Sequence, residues 1–69
     1  MLDAGLKRID KCWTFHAAGS AAEIDALREW CRQHPKHVWS DTIYMTGTYF
    51  CRGEIYDDDV AFAFKLRWL

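Results

Sequence analysis

The chain has 69 residues, 51% of them hydrophobic, and nine basic residues against ten acidic ones give a net charge of −1. This balance argues against a dedicated duplex-DNA binder, which carries a clear basic excess. The odd number of cysteines, three, argues against the disulfide framework of a small secreted protein, and no run approaches the roughly 20 apolar residues of a membrane span.

Residues 7–17 alternate between apolar and polar side chains. Ile9, Trp13, Phe15 and Ala17 share one face, which predicts a strand with that face buried. The spacing of Leu2, Leu6 and Ile9 leaves a short helical lead-in as a weaker alternative.

The clearest element follows at residue 20. Ser20 and Glu23 form the S-x-x-E pattern of a capping box, which predicts a helix start. Pro35 disfavours helical geometry at the residue before it. We therefore predict a helix over 21–33 with an apolar arc on one side. The arc contains Ile24, Leu27, Trp30 and Cys31.

Residues 37–56 are rich in β-branched and aromatic side chains, which favour strands. A turn at Thr46-Gly47 predicts strands over 38–45 and 48–56. A turn at Arg52-Gly53 is the competing register, but it leaves a short return strand before the aspartates.

The C-terminal segment Asp57–Leu69 supports two interpretations. Its side chains alternate as a strand would, so a fourth strand over 59–68 stays open. Three aspartates at its start and Lys65 and Arg67 near its end complement a helix dipole, which favours a helix.

The last fifteen residues, IYDDDVAFAFKLRWL, resemble the C-terminus of small uncharacterised bacteriophage proteins. Those proteins end in an aromatic strand, an acidic turn and a helix closing on F-K-L-R-W. The resemblance implies a helical end and a phage-encoded protein that acts in the host cytoplasm. Small phage proteins of this kind commonly bind and block a host factor or a defence system.

The predicted fold is therefore a single α+β domain over 1–69. It has the order β-α-β-β-α, with a three-stranded antiparallel sheet and two helices on one face. Four Trp, four Phe and three Tyr exceed what a monomer of this length buries, and the last helix is apolar on two sides. We expect its spare side to contact a protein partner, a host protein or a second copy in a homodimer. The predicted partner-binding residues are Phe62, Phe64, Leu66, Arg67 and Trp68.

Metal and catalytic sites find less support. Cys31, His34 and His37 have a C-x2-H-x2-H spacing, but Cys31 belongs to the apolar arc and Pro35 interrupts the run. No motif places a cysteine or serine beside a base. We predict no enzyme activity, no cofactor and no bound metal.

A second functional class stays open. Tyr49, Arg52 and Lys65 could hold a nucleotide, another small signalling ligand or single-stranded nucleic acid by stacking and charge.

Overall fold

The computed structural model describes residues 2–69. Its elements run in the order β1 (Asp3–Ile9), β2 (Cys12–Gly19), α1 (Ala21–Arg32), β3 (His37–Met45), β4 (Thr48–Ile55) and α2 (Asp58–Trp68). The strands form one antiparallel sheet in the order β1-β2-β4-β3. The α+β class with two helices and an antiparallel sheet is confirmed.

The prediction of three strands is wrong, because residues 3–9 form a strand of their own and pair with β2. The predicted strand over 7–17 is divided at Asp10 and Lys11, where the chain reverses between Ile9 and Cys12. Asp10 has φ 57°, and aspartate adopts this left-handed conformation more readily than most residues. A helical lead-in is therefore also excluded.

The helix predicted from residue 21 is confirmed. Ser20 accepts a hydrogen bond from the Glu23 N–H, and the Glu23 carboxylate accepts one from the Ser20 N–H. These two bonds satisfy donors that a helix start leaves unpaired. The helix ends at Arg32, and Gln33 caps it.

The hairpin predicted at Thr46-Gly47 is also confirmed. Met45 pairs with Thr48, and the two residues between them have φ 49° and 85°. Two positive φ values are the mark of a type I′ turn, whose twist matches that of the flanking strands. Arg52-Gly53 lies inside β4 instead of at a turn.

The C-terminal segment is a helix, so the alternative of a strand over 59–68 is wrong. Asp57 adopts extended backbone and its Oδ1 accepts from the N–H groups of Asp59 and Val60, at 2.9 and 3.1 Å. A carboxylate in this position satisfies orphan donors and faces the positive end of the helix dipole. These local terms outweigh the strand-like alternation of the aromatic residues.

Both helices cover the same face of the sheet. The core between the two layers consists of Phe15, Ala17, Ile24, Leu27, Cys31, Cys51, Ile55, Ala61 and Phe64. Each half of the chain is a hairpin followed by a helix, and the strand order relates the halves by an approximate two-fold axis between β2 and β4. The opposite face of the sheet carries no helix, and we call it the open face.

Candidate interaction surfaces

Helix α2 presents one apolar row to the sheet and another to solvent. Ala61 and Phe64 are buried in the core. Phe62, Leu66 and Leu69 are exposed by 63, 74 and 58%. Their spacing of four and three residues places them on one side of the helix. We call these three residues the α2 stripe.

The residues predicted to bind a partner are divided between these two sides. Phe62, Leu66 and Arg67 are exposed, whereas Phe64 is 0% exposed and Trp68 is half-buried. The Phe64 ring packs 5.4 Å from Phe15 and 5.9 Å from Trp30 between ring centres. Phe64 is therefore a core residue that a partner cannot contact, and this corrects its assignment to the binding surface. Leu69, which the prediction left out, belongs to the exposed row.

Two cations border the α2 stripe near its C-terminal end. Lys65 lies 4.7 Å from the Trp13 ring centre, and Arg67 lies 4.0 Å from that of Trp68. Cations attracted to these ring faces are held beside the helix. Both side chains remain exposed, so the stripe is apolar with a positive border.

The start of α2 is fastened to the sheet by its carboxylates. Asp58 accepts from the Trp13 indole N–H at 3.0 Å and from Arg8 Nη1 at 2.9 Å, and these contacts hold the pKa of Asp58 below its usual value. The N–H of Val60, followed by Lys36, likewise lowers the pKa of Asp57. Together with the burial of Ala61 and Phe64 in the core, these contacts hold α2 against the sheet with the stripe facing away from it.

The open face forms a shallow hollow of about 460 Å³ near the middle of the sheet. The side chains around it include Asp3, His16, Asp41, Ile43, Phe50 and Arg52. The His16 ring lies across Gly5 of the neighbouring strand, since a Cβ atom added to Gly5 would come within 2.7 Å of His16 Nε2. A ring that covers a cross-strand glycine supports the pairing of β1 with β2.

The hollow has little net positive charge. Arg52 Nε lies 3.6 Å from Asp41 Oδ2, and Asp3 adds a further carboxylate. Phosphate binding requires converging cations or backbone N–H groups. This charge pattern suits a neutral or cationic ligand better than a phosphate.

The alternative ligand residues do not converge. Tyr49 lies on the helix side of β4 and packs 4.7 Å from Tyr44, whereas Arg52 lies on the open face. Lys65 lies on α2 over Trp13. Tyr49, Arg52 and Lys65 therefore do not form one site.

The cysteine and histidines considered for a metal have other contacts. Cys31 is 1% exposed, and burial raises its pKa to about 11. His34 stacks 3.9 Å from the Trp30 ring centre, and its Nδ1 lies 2.8 Å from the Trp30 carbonyl oxygen. His37 Nδ1 lies 2.8 Å from the His34 carbonyl oxygen. Within residues 2–69, no three His, Cys, Asp or Glu side chains are grouped closely enough to hold a metal ion.

In comparisons with known proteins, no protein-family model, curated protein or solved structure matches the chain significantly. Over residues 2–69, neither helix is both long and apolar enough to cross a membrane. The structure leaves two apolar surfaces uncovered, the α2 stripe and the open face.

Proposed function

We propose that this chain is a non-enzymatic protein-binding module that inserts the α2 stripe into a hydrophobic groove of a partner protein. The observation that carries the proposal is the exposure of Phe62, Leu66 and Leu69 on one side of a capped, firmly attached helix. An amphipathic helix commonly binds in a groove through anchors at such spacings.

The energy available from this row is substantial. Full burial of a large apolar side chain contributes about 1.5–3 kcal/mol. The stripe offers three such side chains, two on a helix that is already folded and Leu69 at its C-cap, so little conformational entropy is lost on binding. Phe62, the aromatic member, is the expected central anchor.

The charges around the stripe specify the partner further. Lys65 and Arg67 border its C-terminal half. Complementary potentials favour a groove with carboxylates along that rim. We therefore expect a partner protein with an apolar groove and an acidic border.

The non-enzymatic part of the proposal is supported by the state of the thiols. Burial raises the pKa values of Cys31 and Cys51 to about 11, so both are protonated near neutral pH. The thiolate is the nucleophilic form of cysteine. These two thiols are therefore poorly suited to covalent catalysis.

The resemblance of the last fifteen residues to small phage proteins indicates a class of partner, namely a protein of the bacterial host. On that reading the chain is phage-encoded and inhibits a host factor or a defence system in the host cytoplasm. Residues 58–68 of that segment form α2, the helix that carries most of the stripe.

The test compares the wild-type chain with the variant Phe62→Glu/Leu66→Glu in quantitative capture from host lysate. Proteins lost with the variant are then purified and titrated by calorimetry. We expect at least a 100-fold weaker Kd for the variant, and a weaker Kd when acidic residues of the partner groove are neutralised. Ile9→Glu, at an exposed position of β1 outside the stripe, is the matched control, and equal binding by wild type and the helix variant would refute the proposal.

A second candidate function rests on the hollow of the open face. His16, Ile43 and Phe50 offer ring and aliphatic surface, and Asp3 and the Asp41–Arg52 pair offer polar groups. Such a hollow fits a small, planar, uncharged or cationic ligand. A thermal-shift screen with nucleosides and nucleoside phosphates tests it, since a ligand that binds only the folded state raises the melting temperature. A shift with nucleosides that Phe50→Ala abolishes is the expected result.

A further inference from the structure

The two edges of the sheet differ in their protection against pairing with another strand. β1 carries Asp3, Lys7 and Arg8 along its length, and Arg8 is tied to α2 through Asp58. Charged side chains are a common protection of an edge. β3 has no lysine, arginine or proline, and its second half is uncharged after Asp41.

The second half of β3 also lies outside the cover of the helices. Residues 41–47 are all exposed, and Ile43, Tyr44 and Met45 are exposed by 54, 61 and 56%. An exposed, apolar and uncharged edge strand is a template for strand addition. β3 is therefore the edge at which this sheet can be extended.

The turn at Thr46-Gly47 determines which backbone groups face outward. A two-residue hairpin closes on a hydrogen-bonded pair, here Met45 with Thr48. Because hydrogen-bonded and non-hydrogen-bonded pairs alternate, Ile43 bonds to β4 while the N–H and C=O groups of Thr42 and Tyr44 point away from it. The free edge thus offers two donors and two acceptors in a fixed order.

We propose that two copies of this chain pair through β3, antiparallel and about a two-fold axis at Ile43, to form a continuous eight-stranded sheet. In this register Thr42 of each copy exchanges two hydrogen bonds with Tyr44 of the other, which uses the four outward groups of each edge. Ile43 then lies opposite Ile43 of the second copy in a non-hydrogen-bonded pair, where side chains are closest.

The charges favour a second copy over a strand of another protein. The two-fold axis places each Asp41 opposite Met45 of the other copy, so no like charges oppose one another. Each Asp41 is also compensated by Arg52 of its own chain, 3.6 Å away. An edge that is neutral and whose donors and acceptors match themselves under two-fold rotation is complementary to its own copy. Pairing at β3 leaves the α2 stripe, on the helix layer, free for another protein.

The pairing register is tested by disulfide cross-linking in a Cys12→Ser background, which removes the thiol that is not buried. Ile43→Cys places two thiols across a non-hydrogen-bonded pair whose Cα atoms are about 4.5 Å apart, within disulfide range. Thr42→Cys is the control, because residue 42 lies opposite residue 44 and its own copy is two positions away. We expect mild oxidation to convert most of the Ile43→Cys chain to dimer and little of the control. Equal cross-linking of both, or of neither, would overturn the proposed register.

The oligomeric state is tested by sedimentation equilibrium of the unmodified chain. We expect twice the 8.1 kDa chain mass at high micromolar concentration, and a monomer for Ile43→Lys with an unchanged circular-dichroism spectrum. Ile9→Lys, the same substitution at an exposed position on the opposite edge, should remain dimeric. A wild-type monomer throughout overturns the pairing of copies and would leave the edge to a strand of another protein. A dimer that survives Ile43→Lys overturns it as well.

Discussion

The ring of Phe15 lies directly over the backbone of Gly53, its partner across the β2–β4 pairing. A Cβ atom at position 53 would come within 2.5 Å of Phe15 Cζ and closer still to the carbonyl oxygen of Val38. Because Gly53 has no side chain, the large Phe15 ring can lie against the sheet backbone and fill the centre of the core between the sheet and the two helices. In the sequence, Gly53 is a candidate turn residue. In the structure it is required inside β4, because a side chain at this position would overlap the Phe15 ring.

Replacement of Gly53 by alanine should lower the free energy of unfolding by about 3 kcal/mol, because either backbone or a fully buried ring must move. Gly47→Ala is the matched control: its Cβ meets nothing within 4 Å, and the cost is confined to a positive φ of 85°. That cost is about 1 kcal/mol. Urea denaturation of the two variants measures the difference, and equal losses would contradict the packing argument.

The two phenylalanines of α2 should behave oppositely. Phe64→Ala leaves a cavity in the core and should cost about 3–5 kcal/mol, which approaches the whole stability of a domain this small. Phe62→Ala removes an exposed ring and should change stability by less than about 0.5 kcal/mol. Thermal unfolding followed by circular dichroism separates the two. A severe loss with Phe62→Ala would show that its ring packs within the fold.

The three thiols should differ in reactivity. Cys31 and Cys51 are 1 and 5% exposed, whereas Cys12 is half-exposed. Thiol titration with a chromogenic disulfide at pH 8 should detect one thiol in the native protein and three in denaturant. Cys12→Ser should reduce the native count to zero. Rapid reaction of two or three native thiols would contradict the burial of the core.

The free energy of unfolding should fall at alkaline pH, because Cys31 and Cys51 are buried as neutral thiols. The folded pKa values of Cys31 and Cys51 are raised from 9.0 to about 11, so the unfolded chain loses these protons first. The stabilisation is complete below pH 9 and is lost as the pH rises towards 11. Unfolding midpoints in urea at pH 8 and pH 10.5 measure this loss. The double variant Cys31→Ala/Cys51→Ala should lose less between these pH values than the wild type, and an equal loss would assign the effect to other groups.

Stability should also fall in acid. The folded pKa values of Asp57 and Asp58 lie below 3.8, so their contribution is present above that pH and disappears as the pH falls through the folded values. The variant Asp57→Asn/Asp58→Asn keeps side-chain acceptors for the helix cap and for Trp13 but cannot titrate there. Its urea midpoint should change less than that of the wild type between pH 5 and pH 2.5. An equal fall of the urea midpoint in the variant and the wild type would show that these two carboxylates do not cause the loss of stability in acid.

Local signals in the sequence were enough for α1 and for the second hairpin, and they favoured a helix over a strand in the C-terminal segment. The capping box at Ser20, the stop at Pro35 and the turn at Thr46-Gly47 act through neighbouring residues, so they can be recognised without knowledge of the fold. The aspartates that start α2 act in the same way, through hydrogen bonds to the next two or three N–H groups. These features depend on spacing along the chain alone.

Tertiary structure decided the rest. The turn at Asp10-Lys11 has no glycine to mark it, and the strand that it joins to β2 packs Ala4 and Leu6 against the core. Two apolar rows on α2 looked equivalent in the sequence. The burial of Ala61 and Phe64 in the core, together with the contacts of Asp58, places one of these rows against the sheet. Strand order likewise depends on contacts between distant residues, and it is this order that leaves β3 at an edge. Local hydrogen bonds are encoded by adjacent residues, whereas the choice of buried face and free edge depends on the energy of the whole assembled core.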